Sequence, residues 1–425
     1  MLPIHNDSWM SKPVVVVGGG LAGIVCTRRL NRAGVPVVLV ESQDALGGRL
    51  RTAEIDGFKI DRGFQVYFTA YPHAKVELDW RKLDLGFFIP GCSVWDGSKF
   101  HEVRSDDEIA TLFSPWLPLQ DKFRMLSYNA EIQKSEYRDI WSADDTTAEK
   151  DLLTAGFTPK FLDRFVRPFF GGIFLDRSLQ TSSRMFRFVW KMLLEGRIGL
   201  PAQGMQAIPT MMAADIPSSS IRLNEKVSGL VRDGEKVTGI KLASGEVIEA
   251  EAVVIATEAP EAARLAGLPT PTGSLSSITI SFDAPEPITK YPLLLLNGPG
   301  FGRVNHVVDV SQASPTYAPK GRHLISASVL GTASESDLSL AGNVKSEIQG
   351  WLPKANVSAW RPLKVDRISY AQMAQPAGFG DDLPFNETKT PGLYFAGEFT
   401  TYSSIDGAIL SGQQAAETIL GRITR

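Results

Sequence analysis

The chain opens on a run of four valines, Val14 to Val17, then three glycines, then apolar residues at helical spacing from Leu21 to Ala33, then a second apolar run from Val37 to Val40. Short apolar runs bounded by turn residues read as buried strands, so this opening predicts strand, glycine turn, helix, strand. Strands that are apolar at every position are covered on both faces, as in a parallel sheet, and a helix joining two of them takes the right-handed crossover. From Phe87 to Val103 the pattern predicts short strands broken at the hairpin signal Asp96-Gly97, and from Ser105 to Arg197 the helical period dominates. Ile221 to Ala256 alternates, with turns at Asp233-Gly234 and Ser244-Gly245, which predicts a three-strand meander returning to a buried strand. A β-rich stretch from Ser274 to Leu330, a helix near Ser334–Trp351, a strand near Val357–Ile368 and a final strand, loop and helix from Pro391 complete the chain.

Strand and helix units at both chain ends are thus separated by inserted helical and β material. The expected organisation is one discontinuous unit of residues 1–85, 200–270 and 385–425, a mostly helical cap at 86–199 and a β-rich substrate unit at 271–384. Composition changes this picture little. Hydrophobic residues make up 43% and charged residues 21% of the 425, near the averages for folded globular chains. Lys plus Arg number 44 against 47 Asp plus Glu, so there is no electrostatic case for nucleic acid, and a small apolar partner is expected. Two cysteines, Cys26 and Cys92, lack disulfide or metal spacing, and the polar start "MLPIHNDSWMSK" does not resemble a secretory signal. A cytoplasmic setting is expected, with peripheral membrane contact left open. No Ser/His/Asp triad or metal cluster is discernible among five histidines, and no metal is expected.

Chemistry enters at the glycines. Gly18, Gly20 and Gly23 form G-x-G-x-x-G between a strand and a helix. The first glycine permits the tight turn, the second lets a pyrophosphate approach the backbone, and the third allows helix and strand to pack closely. Leu21 and Ala22, in the first helical turn, then present unpaired N–H groups and the positive end of the helix dipole to the phosphates. An acid about twenty residues on, at the end of the second strand, accepts from ribose hydroxyls; Glu41 occupies that place, with Ser42 beside it. A carboxylate there repels the extra phosphate of NADP, which leaves FAD or NAD.

"GGRLRT", Gly47 to Thr52, resembles the G-G-R-x-x-T signature of flavoproteins of the amine oxidase and phytoene desaturase superfamily, which includes carotenoid desaturases and protoporphyrinogen oxidase-like enzymes. In physical terms Gly48 permits close approach and Arg49 sets a cation beside the diphosphate. "DRGFQVYFTAYPHAKVELD" is similar to the segment that in this superfamily lies beside the isoalloxazine ring, so the resemblance implies flavin-facing roles for Gly63, Phe64 and Gln65. "GLYFAGEFTTYSSIDGAILSGQQAA" resembles its closing motif; Gly397 and Glu398 match the ribityl–phosphate contact, and a helix starting near Asp406, Gly407 and Ala408 aims its N-terminus at the ring. Val227, in "IRLNEKVSGL", matches an adenine contact, and Ala256 and Thr257 lie near the dinucleotide fold.

The resemblance therefore implies an α/β chain, with a Rossmann-like FAD-binding domain that carries a β-meander and is discontinuous in sequence, and an α+β substrate domain with a helical insertion. It implies noncovalent FAD, because "FTTYSSIDG" has no counterpart of the cysteine that some amine oxidases join to flavin. The implied activity is that of an FAD-dependent oxidoreductase, dehydrogenating or isomerising a hydrophobic substrate such as a carotenoid or other polyene. Amine oxidase or protoporphyrinogen oxidase-like chemistry is the alternative, and a non-enzymatic binding module the third.

Helically spaced aromatics, Phe157, Phe161, Phe165, Phe169, Phe170, Phe174, Phe186, Phe188 and Trp190, read first as core and second as an apolar tunnel. Arg164, Arg167, Arg184 and Arg187 read as solvated. Tyr402 supplies half of an aromatic cage, with no partner identified, and Arg303 and His306 are nominated as polar groups near the reacting centre. Catalytic residues, substrate, electron acceptor and oligomeric state are not chosen by the sequence.

Overall fold

The computed structural model describes residues 12–104 and 115–423. Five parallel strands form the first sheet, in the order Ile221–Arg222, Val37–Val40, Val14–Val17, Ala252–Ile255, Leu393–Phe395. Its central strand is fully buried because successive valines serve opposite layers. Val14 and Val16 pack with Ile24 and Val25 of the helix Leu21–Arg32, whereas Val15 and Val17 pack with Val237 and Ile240 of the meander. The meander itself is antiparallel, Val227–Asp233 with Lys236–Leu242 and then Val247–Glu249, with Gly234 and Gly245 at positive φ in its turns.

The two ends of the chain pack together. The C-terminal helix Ile405–Ile423 lies against the helix Leu21–Arg32, and a Cβ at Gly412 would sit 2.4 Å from the Ala22 carbonyl oxygen. Only glycine permits that approach.

A second sheet has seven strands, in the order Arg361–Met373, Ser274–Ala284, His323–Leu330, Val304–Asp309, Leu294–Asn297, Gly91–Trp95, Phe100–Arg104. One face is apolar; Ile278, Ile280, Ala327, Val329 and Val307 pack on Leu340, Val344 and Ile348 of the helix Asp337–Trp351. The opposite face is polar and still buried, with Thr279 opposite Ser328, Ser281 opposite Ser326 and His306 opposite Ser328. The hairpin at Asp96-Gly97 pairs into this sheet through Gly91–Trp95 and Leu294–Asn297.

The chain between Arg104 and Ile198 carries the helices Leu119–Lys134, Tyr137–Ser142, Ala148–Thr154, Arg167–Phe174 and Ser183–Glu195, of which Arg167–Phe174 packs on the second sheet. The start of the expected helical stretch, 105–114, falls outside the described residues. Two expected boundaries move. The helix near Ser334 begins at Asp337 because the Ser336 hydroxyl accepts from the Ser339 N–H and caps it. The expected strand at Val357 begins at Arg361; Val357 is apolar because it is buried under the same helix, within a short 3-10 turn.

Candidate functional site

The glycine turn is shaped by close backbone packing. Gly18 adopts φ 111°, and a Cβ there would lie 2.7 Å from the Ala256 carbonyl oxygen; one at Gly23 would lie 1.9 Å from the carbonyl oxygen of Gly18. Gly20 differs, since nothing among the described residues lies within 4 Å of its Cβ position. It precedes a helix with no side-chain cap and no acid in its first turn, so the N-terminal N–H groups face open space. Glu41 ends the neighbouring strand, buried, and its carboxylate accepts from the N–H groups of Gly19 (2.6 Å) and Gln43 (2.8 Å) and from the Ser42 hydroxyl (3.2 Å). All three donors are neutral.

Arg49 joins this end to the last segment of the chain. Its guanidinium lies 2.8 Å from Glu398 and donates to the Ala371 carbonyl at 2.7 Å. Gly48, at φ 60°, folds against Gly20; a Cβ on it would be 3.3 Å from the Gly20 Cα. Glu258 is a second carboxylate near Arg49; burial and neighbouring Glu398 push its carboxyl above the usual range, against the pull of Arg49. Glu398 also accepts from the Ser403 hydroxyl, and the N–H of Gly397 donates to Ser411 of the C-terminal helix at 2.7 Å. Gln65 reaches back to donate to the carbonyls of Arg49 (3.0 Å) and Arg62 (2.9 Å). Gly63 takes φ 80°, and the Phe64 N–H donates to the Thr279 hydroxyl at 3.3 Å, which fastens this turn to the polar face of the second sheet.

These residues line one cavity of about 1150 Å³. Of the residues singled out in the sequence, Gly18, Gly20, Leu21, Ala22, Glu41, Ser42, Gly48, Arg49, Gly63, Phe64, Gln65, Val227, Thr257, Gly397, Glu398 and Ala408 stand in its wall. Gly23, Asp406 and Gly407 do not. Gly23 is a packing glycine. Asp406 is turned away, fully buried, accepting from the N–H groups of His73 and Ala74 (both 2.9 Å) and from the Tyr402 hydroxyl (2.8 Å); it caps the helix Pro72–Glu77. Gly407 exists to clear the backbone, as its Cβ would be 1.9 Å from the Tyr402 carbonyl oxygen. The start of the C-terminal helix reaches the cavity instead through Ser404, Ile405 and Ala408.

The aromatic block divides. Phe165, Phe169, Phe170, Phe174 and Trp190 face the cavity, while Phe157, Phe161, Phe186 and Phe188 pack behind them. Trp190 uses its indole N–H on Asn129 at 2.8 Å, so the face it offers is apolar.

Four arginines read as solvated are structural ties. Arg187 binds Asp151 (2.8 Å) and Glu131 (2.9 Å), Arg167 binds Glu149 and Asp163, Arg184 donates to the Ala143 carbonyl at 2.6 Å, and Arg164 donates to the Trp116 carbonyl at 2.6 Å. A guanidinium satisfies carbonyls and carboxylates together, which suits it to tie one helix to its neighbours. Tyr402 forms no cage; it stacks on Trp141 with ring centres 4.8 Å apart, away from the cavity. Arg303 is exposed and pairs with Glu335 at 2.5 Å. His306 does stand in the cavity wall. The sequence reading missed Glu258, Thr279 and Ser328, although the alternation Ser277, Thr279, Ser281 in "SLSSITISFDA" carried a signal of a polar, inward face.

The chain covers 97% of its length against putrescine oxidase bound to putrescine, at TM-score 0.71 and 17% identity over 99% of that chain. An oxidoreductase from Methanosarcina mazei gives TM-score 0.72 at 19% identity, covering 95% of this chain and 100% of that one. These likenesses show the fold. A lycopene-forming phytoene desaturase from Pseudescherichia vulneris is 25% identical over 280 residues, 57% of this chain and 55% of that protein. The match to the phytoene desaturase of Neurospora crassa is 23% identical and covers 57% of this chain and 48% of that protein, so the chain spans about half the length of these curated relatives. A 15-cis-phytoene desaturase from an Oncidium hybrid cultivar is 22% identical over 96% of this chain and 77% of its own length. Residues 21–420 match the family of flavin containing amine oxidoreductases, and the chain belongs to that family.

Proposed function

We propose that the chain holds FAD noncovalently in this cavity and oxidises, or isomerises, a hydrophobic substrate such as a polyene by hydride transfer. One observation carries the reading: the glycine turn, the Arg49–Glu398 pair and the aromatic chamber open into the same cavity. Its volume of about 1150 Å³ exceeds the ~300–1,000 Å³ of ordinary small-molecule sites, which supports a cofactor and a substrate side by side.

The residues suit a dinucleotide. The open face at Gly20 and the uncapped helix behind it accept a pyrophosphate, Glu41 accepts from ribose hydroxyls, and Arg49 adds a cation held in place by Glu398. Bound flavin supplies the two-electron acceptor; the chain supplies position. The wall of Phe165, Phe169, Phe170 and Trp190 excludes water and aligns an apolar donor. Cys26 and Cys92 are buried away from the cavity, which favours noncovalent attachment. In this reading residues 1–85, 200–270 and 385–425 bind the cofactor, and 86–199 with 271–384 shape the substrate chamber. Phytoene desaturases among the relatives favour a polyene, and the turning away of Tyr402 weighs against an amine. Anaerobic addition of polyenes, porphyrinogens and amines to the purified protein tests this: bleaching of the flavin by an apolar donor is expected, and bleaching by amines alone contradicts it.

Contact with a lipid surface is part of the proposal. Leu119, Phe123 and Leu126 are 59%, 59% and 61% exposed and share one face of the helix Leu119–Lys134, next to Met125 of the cavity wall. Among the described residues no helix is long and apolar enough to cross a membrane.

A further inference from the structure

The cavity wall is divided by charge. Its carboxylates, Glu41, Glu225, Glu258, Glu261 and Glu398, all come from residues 1–85, 200–270 and 385–425. Of the described residues that 86–199 and 271–384 place in the same wall, Arg104 and Arg197 alone are charged, since burial keeps His306 neutral. Arg104 pairs with Glu102 at 3.5 Å and lies over the Tyr291 ring. Arg197 has no such partner. Among the described residues no carboxylate or carbonyl engages its guanidinium, which lies on the face of Phe87, 3.6 Å from the ring centre. The ring covers one face of the planar fork and leaves the in-plane N–H groups free. Arg197 is exposed, so those donors can be reached.

The backbone fixes where this cation stands. The Arg197 N–H donates to the Thr69 hydroxyl at 2.9 Å, and its carbonyl accepts from the Thr69 N–H at 3.0 Å. Gly196 makes that approach possible, since a Cβ there would lie 2.7 Å from the Ala70 backbone nitrogen. Just before it, the helix Ser183–Glu195 turns Met185, Val189, Trp190, Leu193 and Leu194 to the cavity. At ~1.5 Å per residue this apolar stripe is roughly 13 Å long. Arg197 follows its end directly in the chain.

We propose that Arg197 binds the carboxylate of an apolar acid whose hydrocarbon chain lies along this stripe. The inference rests on the apolar chamber proposed above and narrows its occupant from any hydrophobic substrate to one with an anionic end. A single guanidinium matches both the fork of a carboxylate and its one charge. An ammonium end meets two cations and no carboxylate in this part of the wall, so amines are disfavoured.

Octanoate, octanamide and octylammonium share a chain and differ in the charge at its end. Titrated calorimetrically into flavin-loaded protein at neutral pH, octanoate should bind about fivefold more tightly than octanamide, a modest gain because Arg197 is exposed. Octylammonium should bind more weakly than either. Added salt at ~0.5 M should erase most of the difference. In Arg197→Gln the preference for octanoate should vanish with the octanamide affinity unchanged, and Arg197→Lys, which keeps the charge, should retain part of it. On the unaltered protein, phenylglyoxal, which modifies accessible guanidinium groups, should react at Arg197. Saturating octanoate, but not octanamide, should suppress that reaction, as read by peptide mass spectrometry. This measurement stands even if the variants fail to fold. Equal affinities for octanoate and octanamide, a preference that survives in Arg197→Gln, or modification of Arg197 at an unchanged rate with octanoate present would overturn the inference. Protein that purifies without flavin and takes none up would contradict the cofactor reading instead, so the two failures are distinguishable.

Discussion

The guanidinium of Arg49 lies 2.8 Å from the carboxylate of Glu398, so residues from opposite ends of the chain meet in one ion pair inside the cavity wall. Glu398 is buried while Arg49 keeps some contact with solvent, and Glu258 adds a second carboxylate nearby. Arg49→Ala leaves Glu398 without its cation and Glu258 with Arg62 alone. Allowing for the partial exposure of Arg49, the expected cost is about 1–3 kcal/mol of stability, with at least a tenfold loss of flavin affinity. Thermal unfolding and flavin absorbance per protein check both; unchanged flavin content would remove Arg49 from the cofactor site.

The glycines of the turn separate folding from binding. Gly23→Ala places a methyl 1.9 Å from the Gly18 carbonyl oxygen, and the overpacking should cost about 1–3 kcal/mol. Gly20→Ala meets nothing within 4 Å, so the protein should unfold within about 1 kcal/mol of the unaltered one yet bind flavin more weakly. Denaturant melts with and without added FAD check the contrast. Equal loss of stability in both variants would place Gly20 in the packing instead of the cofactor cradle.

The strands and helices around these glycines were legible because local and tertiary demands coincide there. A valine run covered on both faces, a glycine turn and Glu41 at the strand end all belong to one strand–turn–helix–strand unit, in which each local pattern agrees with the packing. The C-terminal helix was legible, but the role of Asp406 was not. Its side chain caps Pro72–Glu77, a contact between segments far apart in sequence, and no local pattern announces which way a buried acid points. The arginines of the helical region misread for a related reason. Exposure is the default for arginine, and their carboxylate and carbonyl partners come from other helices. The polar face of the second sheet was hidden because serine and threonine in a strand are ordinary on a solvated side, and only the packing shows that side to be inside.

Burial holds His306 neutral down to about pH 4, against an ordinary value of 6.5. Between those values the unfolded chain binds a proton that the folded chain refuses, so stability falls as pH falls through this window. The two pKa values set the ceiling at about 3 kcal/mol. Relative to His306→Phe, the unaltered protein should lose stability from pH 6.5 to 4 and show a constant difference above 6.5. Urea melts across that range check it; a pH-independent difference would mean that the imidazole titrates normally.

The exposed stripe of Leu119, Phe123 and Leu126 predicts binding to phospholipid vesicles. Phe123→Asp with Leu126→Asp should cut vesicle co-sedimentation at least tenfold and leave flavin content and thermal stability unchanged, since these side chains are more than half exposed. Co-sedimentation at the original level would remove the stripe from any membrane role.

We propose that the two ends of the chain enclose one flavin dinucleotide. Heat denaturation of the purified protein, followed by chromatography of the released chromophore, measures this directly. One intact FAD released per chain is the expected result. A chromophore that stays bound to the denatured chain, a mononucleotide, or protein that takes up no flavin after incubation with FAD would contradict the account.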